Sequence, residues 1–199
     1  MTGRFDDKVV MITGGGQGLG RAYAHRFADE GAFPVIIDIN AQAVEHVAGE
    51  LETNGHAAHA VACDITVSKA VQSVVDDVMA ARGRMDVLIN NASIFSTIKM
   101  QPFDEISDEE WRRVIDVNIT GAFICSKAAS APMKQANWGR IINISSAAVN
   151  MGRANYLHYV TSKAGLIGMT RAMARELGKN GITVNAILPG ATQTEIERE

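Results

Sequence analysis

The stretch Val9-Val10-Met11-Ile12-Thr13-Gly14-Gly15-Gly16-Gln17-Gly18-Leu19-Gly20 decides the fold. Its first five residues read as a strand, its glycines as a tight turn, and Ala22, Ala24, Phe27 and Ala28 as one face of the helix that follows. Five more strand-like runs lie at Pro34–Ile39, Ala58–Cys63, Val87–Asn90, Ile141–Ile144 and Ile182–Ile187. Between them apolar residues recur at three-and-four spacing, as in Val67, Val71, Val74, Val75 and Val78, or in Trp111, Val114, Ile115, Asn118, Ala122, Cys125 and Ala129. Right-handed crossovers turn this alternation into one parallel sheet with helices on both faces. The expected architecture is therefore α/β, a doubly wound parallel sheet of six strands. In such sheets ligands sit outside the carboxyl ends of the strands, where strand order reverses, so polar residues just after each strand are the candidates.

Working outward, 199 residues with 47% hydrophobic and 21% charged content can bury a sizeable core, which excludes disorder as the main state. The 19 Lys and Arg are interspersed with 22 Asp and Glu, so no basic field exists to hold a nucleic acid. Cys63 and Cys125 lie inside regular segments without the spacing of a disulfide framework or zinc site, which fits a reducing compartment. The polar Met1–Asp7 runs straight into the first strand, and no apolar run reaches the roughly 20 residues of a membrane span. A soluble, cytoplasmic protein with no membrane partner is expected. The five histidines form no metal constellation, and nine scattered methionines read as core filler.

Glycines let a backbone turn tightly and approach an anion, and the free N–H groups at a helix N-terminus favour a pyrophosphate. A bare strand-to-helix turn would use the same glycines, so the end of the second strand carries weight. Eighteen residues beyond Gly20, Val35-Ile36-Ile37 ends in Asp38, whose carboxylate can accept from the two hydroxyls of an adenosine ribose. That charge repels a 2′-phosphate, and neither Gln17 nor Ile39 supplies a cation to offset it, so NAD is expected over NADP. Asp64, in Cys63-Asp64-Ile65 just past the third strand, can accept from an adenine amino group. Either carboxylate could instead cap the helix after it.

Tyr159-Val160-Thr161-Ser162-Lys163 lies in a helical stretch, which places Tyr159 and Lys163 one turn apart on one face. A phenol, with a pKa of roughly 10, is a poor base at neutral pH, and a neighbouring ammonium favours the phenolate. Such a pair can take a proton from an alcohol or return one to a carbonyl, although a surface tyrosine over a lysine stem would look the same. Thirteen residues before Tyr159, Ile141-Ile142-Asn143-Ile144 ends in Ser145-Ser146, which puts hydroxyls at the carboxyl edge of the sheet. Asn118, in register with an apolar stripe, is either a structural tie or part of a water-linked proton path.

The glycine loop, Asn90-Asn91-Ala92, Asn118, Ser146, Tyr159, Lys163 and Pro189-Gly190 together resemble the short-chain dehydrogenase/reductase family in order and spacing, over essentially the whole chain. The Thr-Gly-x-x-x-Gly-x-Gly loop is similar to that of its NAD-using type. The resemblance implies a Rossmann-like fold in which Tyr159 is the general acid/base and Lys163 lowers its pKa and holds the nicotinamide ribose. It further implies that Ser146 orients the substrate oxygen and that Asn118 supports a water relay to Lys163. Ser145 competes for the serine role, and the spacing to Tyr159 favours Ser146. Gly14, Gln17, Gly18, Leu19 and Gly20 would cradle the pyrophosphate, with Asp38, Asp64 and Ile65 on the adenosine. Asn91 would be a structural tie beside Ala92, and Pro189, Gly190 and Thr192 further contacts, with Thr194 on the carboxamide.

Two departures stand out. Ser93 replaces the usual glycine after Asn-Asn-Ala near the cofactor ribose, a change that serine is small enough to make tolerable. Family members also continue through a substrate lid and a seventh strand, whereas Thr192-Gln193-Thr194-Glu195 has the capping-box form that opens a helix and only four residues follow. The expectation is a single Rossmann-type domain over residues 1–199, truncated at its C-terminal end.

The function so implied is an NAD-dependent oxidoreductase acting on a small-molecule secondary alcohol or ketone. Tyr156-Leu157-His158-Tyr159 and Asn137-Trp138-Gly139-Arg140 look most like members using small or aryl alcohols. The alternatives are 3-oxoacyl-thioester reduction and, outside enzymes, a cofactor-binding module without turnover. His158 points about 100° away from Tyr159 around the helix, which leaves a place at the substrate mouth open. A homodimer or homotetramer is expected through residues 111–135 and 156–178. Tyr159, Lys163, Ile167 and Thr170 would face the cofactor, while Ala164, Gly168 and Ala172 form a small-residue row that meets either a second copy or the chain's own sheet.

Overall fold

Continuous apolar runs suit strands buried on both faces; each of the six runs forms a strand, the four central ones mostly buried and the two edge strands partly exposed. The structure, a computed structural model, describes residues 3–196. Strands β1 (Val9–Thr13), β2 (Phe33–Asp38), β3 (His59–Ala62), β4 (Val87–Asn90), β5 (Gly139–Ile144) and β6 (Ile182–Ile187) pair in parallel in the order β3-β2-β1-β4-β5-β6. Strand order reverses between β1 and β4, so the crevice expected of this topology opens past Thr13 and Asn90. The α/β doubly wound sheet is thus as expected, with boundaries shifted by one or two residues. β5 starts at Gly139 because backbone pairing with Ile182 and Thr183 extends the ladder beyond the apolar run.

Helices α1 (Gly18–Asp29) and α2 (Ala41–Thr53) cover one face, and α3 (Ser68–Arg82) and α5 (Ala122–Ala136) cover the other. Alternate strand residues supply the two cores. Val10, Ile12, Ile36 and Ile89 meet Ala24, Ala28, Val44 and Leu51, whereas Met11, Val35, Ile37 and Leu88 meet Val71, Val74, Val78 and Cys125. α4 (Asp108–Ile115) opens on a Ser107 cap whose hydroxyl accepts the Glu110 N–H at 3.2 Å, with three acidic residues in its first turn. It reaches α5 through a π turn at Asp116–Gly121 that contains Asn118. The single helix expected here therefore carries one wide turn, a feature often associated with functional sites. After β5 come a short α6 (Ala148–Met151) and the long α7 (Leu157–Leu177).

Both cysteines are buried free thiols, and burial pushes Cys125 up to about 12, so it is not a thiolate nucleophile at neutral pH. Among the described residues no helix is long and apolar enough to cross a membrane, and no group of His, Cys, Asp or Glu could hold a metal ion.

At the amino edge of the sheet, Asp86 ties β1 to β4. Its buried carboxylate accepts from the Val9 N–H at 2.9 Å and from Arg84 through two bonds of 2.7 Å, with Lys8 at 3.7 Å. Burial alone would raise its pKa, yet the bonds from Arg84 and Val9 and the charges of Arg84 and Lys8 hold it below the usual carboxylate value. Because the folded pKa is depressed, the stabilisation is present above the unfolded value and disappears as pH falls through the folded one. Asp86→Ala, which strands the Val9 N–H, should cost about 2 kcal/mol in a denaturant titration at pH 7. The difference from the parent should shrink below about pH 4; an unchanged midpoint at pH 7 would contradict this role.

Candidate active site

A cavity of about 1470 Å³ runs along the carboxyl edge of the sheet. Its lining includes Gly14, Gln17, Leu19, Asp38, Asp64, Ile65, Asn91 and Ala92 toward one end, and Ser145, Ser146, Tyr159 and Lys163 toward the other. Pro189, Gly190, Thr192 and Thr194 line it from the segment after β6. The topology thus gathers most of the candidate residues into one crevice. Gly18 and Gly20 lie in the first turn of α1, directly after the loop, and Asn118 is buried.

The end of β1 is bound to the end of β4 by side chains. The Thr13 hydroxyl accepts the N–H groups of Asn91 and Ala92, both at 3.0 Å, and the Asn91 amide donates to the carbonyls of Thr13 and Gly14 at 3.1 and 3.0 Å. Gly14 has φ +63°, and a Cβ there would lie 2.7 Å from Ala92 Cα. A Cβ on Gly20 would strike the Gly14 carbonyl oxygen. Only glycine keeps the turn this close to β4, and the backbone of the loop is thereby left bare toward the cavity.

Two observations test whether a dinucleotide fits. The Gly18 N–H, first in α1, donates to a carboxylate oxygen of Glu195 at 2.8 Å, so an anion is already accommodated at this position. That bond is the leading reason the Glu195 carboxyl is held below its usual range, with Arg21 adding attraction. Asp38 in turn is fixed by the N–H groups of Gly16 at 3.2 Å and Asn40 at 3.1 Å. Asn40, not Asp38, caps α2, accepting from the Ala43 N–H at 3.1 Å. Asp64 does cap a turn: one oxygen accepts from the Thr66 N–H and hydroxyl at 2.9 and 2.7 Å.

At the other end, α7 brings Tyr159 and Lys163 to the cavity from a backbone one turn apart. The Lys163 amine is buried, donates to the Ile144 carbonyl at 2.8 Å and lies 5.7 Å from the Tyr159 ring centroid. Desolvation pushes its ammonium down to about 7, so the group is poised between its two forms near neutral pH. The two serines are not equivalent. The buried Ser145 hydroxyl donates to the Lys163 carbonyl at 2.8 Å, whereas the half-buried Ser146 oxygen accepts from the Ala148 N–H at 3.2 Å and keeps its proton for the cavity.

Asn118 accepts from the Ile94 N–H at 2.8 Å and donates to the Ile94 carbonyl and to the Ser162 hydroxyl, at 3.3 and 3.0 Å. Ser162 donates onward to the Tyr159 carbonyl at 2.7 Å. The asparagine thus joins the π turn to the cavity wall and to the backbone that carries the tyrosine.

Several expectations need correction. α7 presents only Tyr159 and Lys163 to the cavity, because at 1.5 Å per residue its later turns recede along the sheet. Thr170 accepts from the Asn143 amide at 2.8 Å inside the protein, and Ile167 is not part of the lining. His158, as its 100° offset from Tyr159 favours, does not line the mouth; it is buried, with Nε2 3.3 Å from a Glu110 oxygen on α4. No helix opens at Thr192, since Glu195, the fourth residue of the capping-box pattern, turns to Gly18 instead. Ser93, by contrast, behaves as expected of a small residue: it is not among those with positive φ, so it fits its turn without strain. Residues 94–97 line the pocket, as the sequence leads one to expect, and within them the Phe95 ring stacks on Tyr159 at 4.3 Å and 24°, with Tyr156 edge-on to Tyr159 at 6.5 Å; a loop without periodicity gave no signal for the stack itself.

The short chain dehydrogenase profile matches residues 8–199. A (2S)-[(R)-hydroxy(phenyl)methyl]succinyl-CoA dehydrogenase subunit, BbsD, from Thauera aromatica is 39% identical over 94% of this chain and 74% of its own length. D-threitol dehydrogenase from Mycolicibacterium smegmatis is 33% identical over 97% of this chain and 73% of its own. The 3-oxoacyl-[acyl-carrier-protein] reductase FabG of Pseudomonas aeruginosa is 35% identical, covering 96% of this chain and 76% of its own. Among solved structures, an NAD+-bound xylitol dehydrogenase superposes with a TM-score of 0.90 at 37% identity, over 94% of this chain and 71% of that one. With this fold, this crevice and these relatives, the chain belongs to the short-chain dehydrogenase/reductase family of nicotinamide-dependent oxidoreductases.

Proposed function

We propose that this protein is an NAD-dependent oxidoreductase of secondary alcohols and ketones, and that Ser146, Tyr159 and Lys163 carry its proton chemistry. The observation that carries the reading is the meeting, in one crevice, of a proton-exchanging cluster with an anion-accepting glycine loop. A dinucleotide would be held by the Gly14–Gly20 loop, Asp38, Asp64 and the Lys163 amine, and when bound its nicotinamide supplies or accepts the hydride. The phenol of Tyr159 gives a proton to the developing alkoxide, or takes it from the alcohol in the reverse direction. Lys163, close to the phenol ring, lowers the cost of the phenolate in its charged form. Ser146, with its proton uncommitted, holds the substrate oxygen toward the phenol; Ser145 has spent its hydroxyl on the α7 backbone. Asn118 holds the wall and the helix in place through Ile94 and Ser162.

Phe95, Ile94 and Ala148 make the wall beside Tyr159 apolar, which supports an aryl or alkyl substituent on the carbinol carbon. The Thauera aromatica relative, named for a hydroxy(phenyl)methyl group, supports the same choice. The FabG relatives favour a second reading, a 3-oxoacyl thioester as substrate. NADH formation by the purified protein across aryl and alkyl secondary alcohols and 3-hydroxyacyl thioesters separates the two. Absence of dinucleotide reduction with every alcohol, despite tight binding, would favour a module without turnover. A cytoplasmic location accompanies this reading.

We also propose assembly through α7. Ala164, Gly168 and Ala172 are exposed, and a Cβ on Gly168 would meet nothing within 4 Å, so the row is not used against the chain's own sheet. Small residues let a second copy approach closely about a two-fold axis. Gly168→Trp should convert a dimer to a monomer in analytical ultracentrifugation at micromolar concentration with the melting temperature retained; a parent protein that sediments as a monomer would exclude this interface.

A further inference from the structure

The segment after β6 crosses the mouth of the glycine loop. Thr194 and Ile196 line the cavity, and Ile196 Cδ1 lies 2.8 Å from where a Cβ on Gly18 would stand. Between them Glu195 places a carboxylate oxygen 2.8 Å from the Gly18 nitrogen, and Arg21, one turn into α1 and itself paired with Glu50, adds attraction that the Glu50 charge partly opposes. The carboxylate therefore occupies the first unpaired N–H of a twelve-residue helix, where free donors and the helix dipole favour an anion.

A diphosphate and this carboxylate cannot share the position, because two like charges in contact at a partly desolvated site repel strongly. We propose that Glu195 is an internal competitor for the cofactor's diphosphate. The dinucleotide enters as the Glu195 carboxylate leaves Gly18, so filling the loop displaces this side chain while Thr192 and Thr194 stay at the cavity. This inference rests on the dinucleotide reading above. Its quantitative form is simple: the apparent affinity equals the intrinsic affinity multiplied by the fraction of molecules in which Glu195 is undocked. A charge-assisted hydrogen bond makes that fraction small, on the order of a tenth.

The test is calorimetric titration of the parent, Glu195→Gln and Glu195→Ala with three probes: ADP-ribose, inorganic pyrophosphate and adenosine. Glu195 is exposed, so neither substitution disturbs the core, and unliganded melting curves check this. ADP-ribose and pyrophosphate should bind about three- to thirtyfold tighter to both variants, while adenosine, which has no phosphate, should bind all three proteins equally. Equal or weaker ADP-ribose affinity in the variants would overturn the inference, as would an equal gain for adenosine, which would indicate general opening. Failure of ADP-ribose to bind any of the three would overturn the dinucleotide reading and the inference with it.

Discussion

Tyr159→Phe should lower turnover by about 10²- to 10⁴-fold while leaving dinucleotide affinity nearly unchanged, the loss expected when a general acid/base is removed. The substitution deletes one oxygen and no ring. Phe at 159 keeps the stack on Phe95, the edge contact with Tyr156 and its place in the cluster with Ile98, Val114 and Ala148. Any loss of rate is then a loss of proton transfer and not of packing. The measurements are kcat with the best alcohol of the panel and the dissociation constant of NADH by fluorescence. Retention of most of the parent rate would remove Tyr159 from the proposed chemistry. Lys163→Ala is the companion experiment, and it should weaken both binding and rate, because this amine faces the phenol from the floor of the crevice.

NAD should bind about ten- to hundredfold more tightly than NADP, corresponding to roughly 1 to 3 kcal/mol of charge repulsion. What makes Asp38 discriminating is its immobility. Each of its oxygens is held by a backbone N–H, one from the glycine loop and one from the start of α2, so the carboxylate cannot swing aside to admit a 2′-phosphate. Asp38→Ala should narrow the ratio of dissociation constants by about tenfold, chiefly by improving NADP. Equal constants for the two dinucleotides in the parent would exclude Asp38 as the discriminator.

The parts of this protein that were legible in its sequence are those where one local property dominates. β1 to β6 are largely apolar runs with a glycine, asparagine or aspartate at or near at least one end, and their alternation with helical periodicity leaves a parallel sheet with helices on both faces. Asp38 was legible because strand ends fall at a fixed place on the sheet. The π turn was not, since the stripe from Trp111 to Ala129 runs through Asn118 without a break and only the backbone hydrogen bonds reveal the wider turn. The faces of α7 were half legible. Spacing correctly grouped Tyr159 with Lys163, but it carries no information on how far along the sheet each turn sits, and Thr170 was misplaced for that reason. Thr192 to Glu195 failed for a different cause: a local capping pattern lost its carboxylate to a partner 177 residues away.

The carboxylate that ties Val9 to Asp86 also bears on how the chain reaches its fold. β1 is buried at every position, yet one of its two neighbours, β4, follows Asp86, which lies 77 residues beyond Val9. During synthesis Val9–Thr13 is therefore a five-residue apolar strand with an open edge, able to pair with β2 and little else, until residues 86–90 leave the ribosome. Closing so long a loop is entropically slow, and parallel pairings of this range delay folding and prolong exposure to aggregation. Lys8, next to β1, supplies a charge beside the edge left open in the meantime, and it closes onto Asp86 together with Arg84 when β4 arrives. The latch at the amino edge is thus also the step at which the nascent chain stops being sticky, and a chain lacking Asp86 should depend more on holdase chaperones even at temperatures where its finished fold is secure.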